Sequence, residues 1–259
     1  MNEFSVKSDY IPLVDKKISS FRVIIPFARI AWFTVSIQCF SFIFCILWTI
    51  MYNFEESTNT HCKVYNALPS VSATIGHYQP QKNIWKMTTV IQATIRFYMI
   101  ILHYQYYKKN TYPTTRKLTR LALVTYVIEN TSLVTLSFWT SNENYALHKL
   151  SFMIFLFTSF IYMNVSYIIA KMCRSTTREV HDIISLRWKL RALISNLAGI
   201  ILACYFFYRH NKYCEPFVYS LFALAEYLVV LTNMGFHVTA AYDFAGRSVL
   251  ISRNGLKIL

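Results

Sequence analysis

Six stretches of roughly 20 mostly apolar residues, each long enough to cross a hydrocarbon core of about 30 Å, restrict this chain to folds that satisfy their backbones internally. They run Ile30 to Tyr52, Ile84 to Tyr104, Leu121 to Trp139, Leu150 to Met172, Leu193 to Tyr208 and Phe217 to His237. The fifth, with Asn196 embedded in it, is the shortest. The expected fold is all-α, a polytopic transmembrane helical bundle of about six spans forming one membrane domain over residues 1–259. A chain that is 55% hydrophobic, 17% aromatic and only 15% charged is too apolar for an ordinary soluble domain. Residues 1–20 read as a flexible cytosolic arm, and residues 53–83 as a lumenal loop that Pro69, Gly76 and Pro80 turn into an irregular cap.

The placement of Lys and Arg sets an expected orientation, because short basic loops stay on the cytosolic side. Basic residues crowd the N-terminal arm, the loop from Lys108 to Arg120, the loop from Lys171 to Arg191, and the tail from Arg247. Both termini are therefore expected in the cytosol. The net charge of +14 is an orientation signal on this reading. Basic residues that flank spans do not form the single soluble face that binds nucleic acid, so no nucleic-acid partner is expected. The membrane itself is the expected environment.

Polar residues inside the spans fall on defined faces. Glu226, Asn233 and His237 share one helical stripe within roughly 40° at 100° per residue. Trp85, Gln92, Arg96 and His103 share another, and Glu129 and Asn130 are adjacent in the middle of the third span. An unpaired charge in lipid costs several kcal/mol, so Arg96 is expected to pair with Glu129 or Glu226. Two readings stand: an ion pair that fixes helix register, or groups that bind substrate.

His61, His148 and His210 group toward the expected lumenal ends, and His103 and His237 toward the cytosolic ends. For acyl transfer a histidine can deprotonate a hydroxyl nucleophile while a neighbouring Asn or Arg holds the developing oxyanion. His148, or His210 with Asn211, is the candidate base. A lone histidine at a membrane edge also serves as an interfacial residue. No GxSxG elbow, HExxH helix or HxxxxD box is present, and no cofactor is implied.

Of the six cysteines, Cys62 and Cys214 fall in segments expected on the lumenal side, where oxidation is permitted. A disulfide between them is the simplest reading. Two free thiols, or a metal site with His61 and His210, are the alternatives; neither spacing matches a compact zinc motif, so no metal is expected.

The stretch from Phe44 to Gly76, with its THC and LPSVS blocks, the VIEN of the third span, and the stretch from Phe206 to Phe244, with RHNKYC and EYLVVLTNMGFHVTAAYDF, resemble the post-GPI attachment to proteins factor 2 family. The resemblance extends from about Phe40 to Ile251. It implies a role in the Golgi, and also the endoplasmic reticulum, in remodelling the lipid of glycosylphosphatidylinositol (GPI) anchors: a saturated fatty acid is placed on the sn-2 position of the lyso-GPI. An anchor lacking one chain loses on the order of 0.8 kcal/mol per buried CH₂, so reacylation decides retention at the membrane. The implied partners are GPI-anchored proteins, the lyso-GPI lipid, and an acyl donor, either acyl-CoA or a phospholipid.

The family blocks carry over onto Thr60, His61, Cys62, Pro69 and Ser70, onto Arg209, His210, Asn211 and Cys214, and onto Glu226, Thr232, Asn233, His237 and Asp243. The resemblance assigns catalysis to none of them. Arg96, Glu129, Arg209, Glu226, Asn233 and His237 are the candidate substrate-binding residues, and His148, His210 and Asn211 the candidate catalytic ones. Two functions stay open, an acyltransferase in its own right and a non-catalytic lyso-GPI-binding or accessory subunit. The buried charges also leave a channel or transporter, which predicts a water-filled path.

Overall fold

The computed structural model describes residues 23–110, 115–173, 180–252 and 255–258. The expected arm over residues 1–20 lies outside them. In chain order come β1 (Val23–Pro26), α1 (Phe27–Tyr52), α2 (Phe54–Thr58), α3 (Val71–Gly76), α4 (Gln81–Asn110), α5 (Arg116–Phe138), α6 (Tyr145–Cys173), α7 (Val180–Tyr213), α8 (Val218–Val238), α9 (Ala240–Asp243), β2 (Ser248–Ser252) and β3 (Gly255–Ile258).

Each of the six expected spans coincides with one long helix, with Trp139 and Phe217 one residue outside α5 and α8, so the helical class is borne out. Five of these helices, α1, α5, α6, α7 and the helix opened by α8, are long and apolar enough to cross a membrane. The sixth, α4, has 30 residues and packs between α1 and α5. Lys82, Lys86, Gln92 and Arg96 dilute its apolar character; Gln92 and Arg96 are buried, and Lys82 and Lys86 reach Glu143 in the turn between α5 and α6. The fifth expected span is the larger correction: it lies inside α7, which at 34 residues is the longest helix. Its first turns carry Arg187, Lys189 and Arg191, which a hydropathy reading assigns to a loop, yet Lys189 is buried there at 2% exposure.

The bundle buries polar groups among its apolar contacts and exposes large apolar side chains on its outside. Phe40, Met51 and Phe157 are exposed on its surface, whereas Glu129, Asn130, Arg96 and Asn196 are buried. That inversion suits a lipid solvent, which rewards exposed apolar side chains and demands internal partners for polar ones. Hydroxyls within the helices donate to the preceding turn, as Thr131 does to the Val127 carbonyl at 2.9 Å. Asn130 and Asn164, each opening a sequon, instead donate to the carbonyls of Ala93 and Phe160.

Two local features depart from the expected pattern. The segment after α1 is not wholly irregular, because α2 and α3 form within it. At the other end of the bundle β1, β2 and β3 make a small antiparallel sheet, with Val23 opposite Ile251 and Ser252 opposite Gly255. Runs of four or five residues such as VIIP and SVLIS are too short for alternation to reveal a strand. Their pairing ties the start of α1 to the segment after α9, where Phe27 stacks on Phe244 at 4.3 Å.

Candidate functional site

The centre of the bundle holds a buried polar network. Arg96 of α4 donates to Glu129 Oε1 at 2.9 Å, and Asn233 Nδ2 of α8 reaches the same oxygen at 3.0 Å. His237 Nε2 lies 2.9 Å from it and 2.8 Å from Arg96 Nη2. Tyr126 and Tyr162 stack on the His237 ring at 5.1 and 5.5 Å, and Asn233 donates also to Ser159 at 2.6 Å. Arg96 therefore pairs with Glu129. Glu226, two turns earlier on α8, takes no part in this network.

Glu226 instead organises the end of the bundle that carries α3. Its Oε2 accepts from the Val71 N–H at 2.9 Å. Tyr219 donates to Ser70 Oγ at 2.9 Å, and Tyr227 to the Pro69 carbonyl at 2.5 Å. Ser70 is the N-cap of α3, accepting from the Ala73 N–H at 3.1 Å. The α8 face thus pins the start of a six-residue helix too short to stand alone.

Ser72, on the first turn of α3, points to His148 of α6, with 2.9 Å between Oγ and Nε2. The other ring nitrogen, Nδ1, lies 2.9 Å from the Trp139 carbonyl. A carbonyl only accepts, so Nδ1 carries the proton and, in the neutral ring, Nε2 accepts from the Ser72 hydroxyl. The turn between α5 and α6 sets this geometry. Asn144 caps α6 by accepting from the Leu147 N–H at 3.0 Å, and Glu143 accepts from the Thr140 N–H at 3.1 Å. Lys82 clamps Glu143 at 2.8 Å; that bond, with the one from Thr140, holds the carboxyl down at about 2.

Ser72, His148, Glu226 and Tyr219 share a cavity of about 420 Å³, within the roughly 300–1,000 Å³ of ligand pockets. From His148 to Leu156 its wall on α6 descends about 12 Å at 1.5 Å per residue. The deeper wall is apolar, with Phe152, Leu156 and Phe222. Met153 of α6 and Phe207 of α7 line the chamber and are 56% and 41% exposed, so its wall along these two helices is not sealed by neighbouring helices. Lys149 stands at its mouth. A polar end with a poised histidine and an apolar trough open to the bilayer can hold a lipid with its headgroup at the base.

The remaining expected residues lie elsewhere. His210 is buried against Tyr219 and His61, at 5.0 and 5.5 Å, and does not line the chamber. Asn211 is exposed and donates to the Phe207 carbonyl, and Arg209 is held by Glu215 through two bonds of 2.7 and 2.8 Å. Cys62 and Cys214 are joined in a disulfide with Cα atoms 5.2 Å apart. The sulfurs lie near His61, but sulfurs joined in a disulfide are not thiolates and do not serve as metal ligands. Ser72 and Tyr219 escaped the sequence reading. For Ser72 the signal lay in the LPSVS block, of which Pro69 and Ser70 are the residues named from the sequence.

Fold and site define a multi-pass helical membrane protein with a chamber that is polar at one end and apolar at the other. Residues 26–246 match the Frag1/DRAM/Sfk1/Cwh43P N-terminal domain family. The chain is 41% identical over 248 residues to post-GPI attachment to proteins factor 2 of Drosophila pseudoobscura pseudoobscura, covering 95% of this chain and 96% of that one. It is 39% identical over 233 residues to acyltransferase PGAP2 of Xenopus tropicalis, covering 89% and 92%, and 33% identical to the Caenorhabditis elegans factor, covering 80% and 81%. No solved structure matches. The protein belongs to the post-GPI attachment to proteins factor 2 family.

Proposed function

We propose that this protein itself reacylates the sn-2 position of lyso-GPI with a saturated fatty acid, at the lumenal leaflet of the Golgi. The observation that carries this reading is the hydrogen bond between Ser72 and His148 Nε2 in a chamber open to lipid. A non-catalytic lipid carrier has no need of an imidazole whose tautomer is set by one carbonyl and whose free nitrogen already holds a hydroxyl. His148 is the base that takes the proton of an attacking hydroxyl. Lys149 meets the anchor phosphate at the mouth, and the acyl chain packs along Phe152, Leu156 and Phe222.

The disulfide supports a lumenal position for this end of the bundle and its chamber, and the basic loops support a cytosolic one for both termini. Lateral access suits GPI-anchored proteins, whose lipid never leaves the leaflet.

The test is acyl transfer to a lyso-GPI by the purified protein in nanodiscs. Transfer that falls about 10²–10⁴-fold in His148→Ala, with unchanged thermal stability, is the expected result. Lyso-lipid binding without turnover in the wild type, whatever the donor, would establish the accessory role instead.

A further inference from the structure

We infer that Ser72 is an acyl-carrying nucleophile, so that transfer runs through a covalent acyl-serine intermediate. This rests on the reading of the chamber as an acyl-transfer site. Ser72 is half-buried, lines the cavity, and stands 2.9 Å from the accepting nitrogen of His148, whose far side is held by Trp139. Nucleophile, base and an orienting group on the base are the three parts that make a weak hydroxyl reactive. Here a backbone carbonyl fills the third position.

The size of the chamber supplies the second argument. At about 420 Å³ it is a space for one acyl chain and its linkage, and of Glu56, His77, His148 and Glu226 on its lining it is His148 that holds the Ser72 hydroxyl. Donor and acceptor are both lipids, and both must bring a reacting group to His148. They use the site in turn, and the acyl group must be kept between visits. The exposed apolar side chains of Met153 and Phe207 on its α6 and α7 walls favour entry from the bilayer, and with it a phospholipid ester of the same leaflet as donor.

The chemistry balances with these groups alone. The Ser72 proton passes to His148 Nε2 as Oγ bonds to the donor carbonyl carbon. The donor's carbon–oxygen ester bond breaks, and the imidazolium returns the proton to the departing lysophospholipid oxygen. The acceptor's sn-2 hydroxyl then gives its proton to Nε2 and attacks the seryl ester. Ser72 Oγ leaves and takes that proton back.

The experiment uses the full chain in nanodiscs containing distearoyl phosphatidylcholine labelled in its acyl chains, with labelled stearoyl-CoA as a parallel arm and no acceptor present. The expected result is up to one label per chain on the Ser72 peptide from the phospholipid, released when lyso-GPI is added. Ser72→Ala should lose the label and at least about 100-fold of transfer, and His148→Ala should lose both. Ser72→Cys should trap the acyl group as a thioester cleaved by neutral hydroxylamine, which shows that the site is folded in a variant at this position. A long-chain alkyl fluorophosphonate should label Ser72 in the wild type independently of any donor.

Wild-type transfer in Ser72→Ala would overturn the inference and leave His148 acting directly on the acceptor hydroxyl, with the acyltransferase reading intact. Label on Ser72 without transfer to lyso-GPI would uphold the nucleophile and overturn that acceptor. Label from stearoyl-CoA alone would overturn the phospholipid donor. Absence of both the label and the fluorophosphonate adduct would overturn the nucleophile.

Discussion

Arg96 on α4 and Glu129 on α5 meet at 2.9 Å in the interior of the bundle, where their side chains are 5% and 0% exposed. Neither charge has water to fall back on, and Asn233 and His237 of α8 converge on the same carboxylate oxygen. The pair therefore joins three helices at one atom.

Breaking that pair strands a charge. Glu129→Leu or Arg96→Met alone should destabilise the protein by about 3–5 kcal/mol, whereas the double replacement should recover most of that loss. Thermal unfolding of the four proteins in one detergent measures the coupling. A double variant no more stable than either single one would refute the pairing as the source of the cost.

Two helical glycines should respond in opposite ways. A Cβ on Gly199 of α7 would meet Val229 Cγ2 of α8 at 2.9 Å, whereas one on Gly235 meets nothing within 4 Å. Gly199→Leu is expected to cost about 1–3 kcal/mol by overpacking the α7–α8 contact. Gly235→Ala should stabilise by up to about 1 kcal/mol through helix propensity. The same melts read both.

The bond between Cys62 and Cys214 closes a loop spanning 152 residues. Replacing both by Ser should cost about 2–5 kcal/mol. Intact mass of the wild type after alkylation without reductant should show both thiols blocked; modification of either would count against the bond.

Glu143 offers a pH dependence outside the membrane. Its carboxyl is held at about 2, against an ordinary value of 4.5, by the bond from Lys82 and by the Thr140 N–H. A carboxyl depressed on folding stabilises fully above its unfolded value, and that contribution is lost as pH falls through the folded one. The wild type should thus exceed Glu143→Gln in melting temperature at pH 7, with the gap closing between about pH 4.5 and 2. Since 40% of this side chain is exposed, the gap should be small and should shrink in salt. A gap that does not change with pH would exclude the clamp.

Hydropathy located every long helix, because length and apolarity in lipid are properties of a local run of residues. It mistook the extent of α7, since Lys189 reads as a loop charge until Asp243 and Thr239 are seen around it; the Asp243 oxygen is 2.7 Å away. The stripe of Glu226, Asn233 and His237 was legible as a face, but two turns of rise put its members in different surroundings. Periodicity reports direction around a helix and not what stands opposite.

By itself the sequence determined the helical membrane class, the family and the presence of buried charges needing partners, all consequences of composition, run length and motif blocks. Only the tertiary structure decided that Arg96 takes Glu129 over Glu226, and that Ser72 faces His148 across 76 positions of chain. A hydrogen bond is decided within a few tenths of an ångström, and that distance is set by how α3, the α5–α6 turn and α8 pack, which no local pattern in the residues encodes.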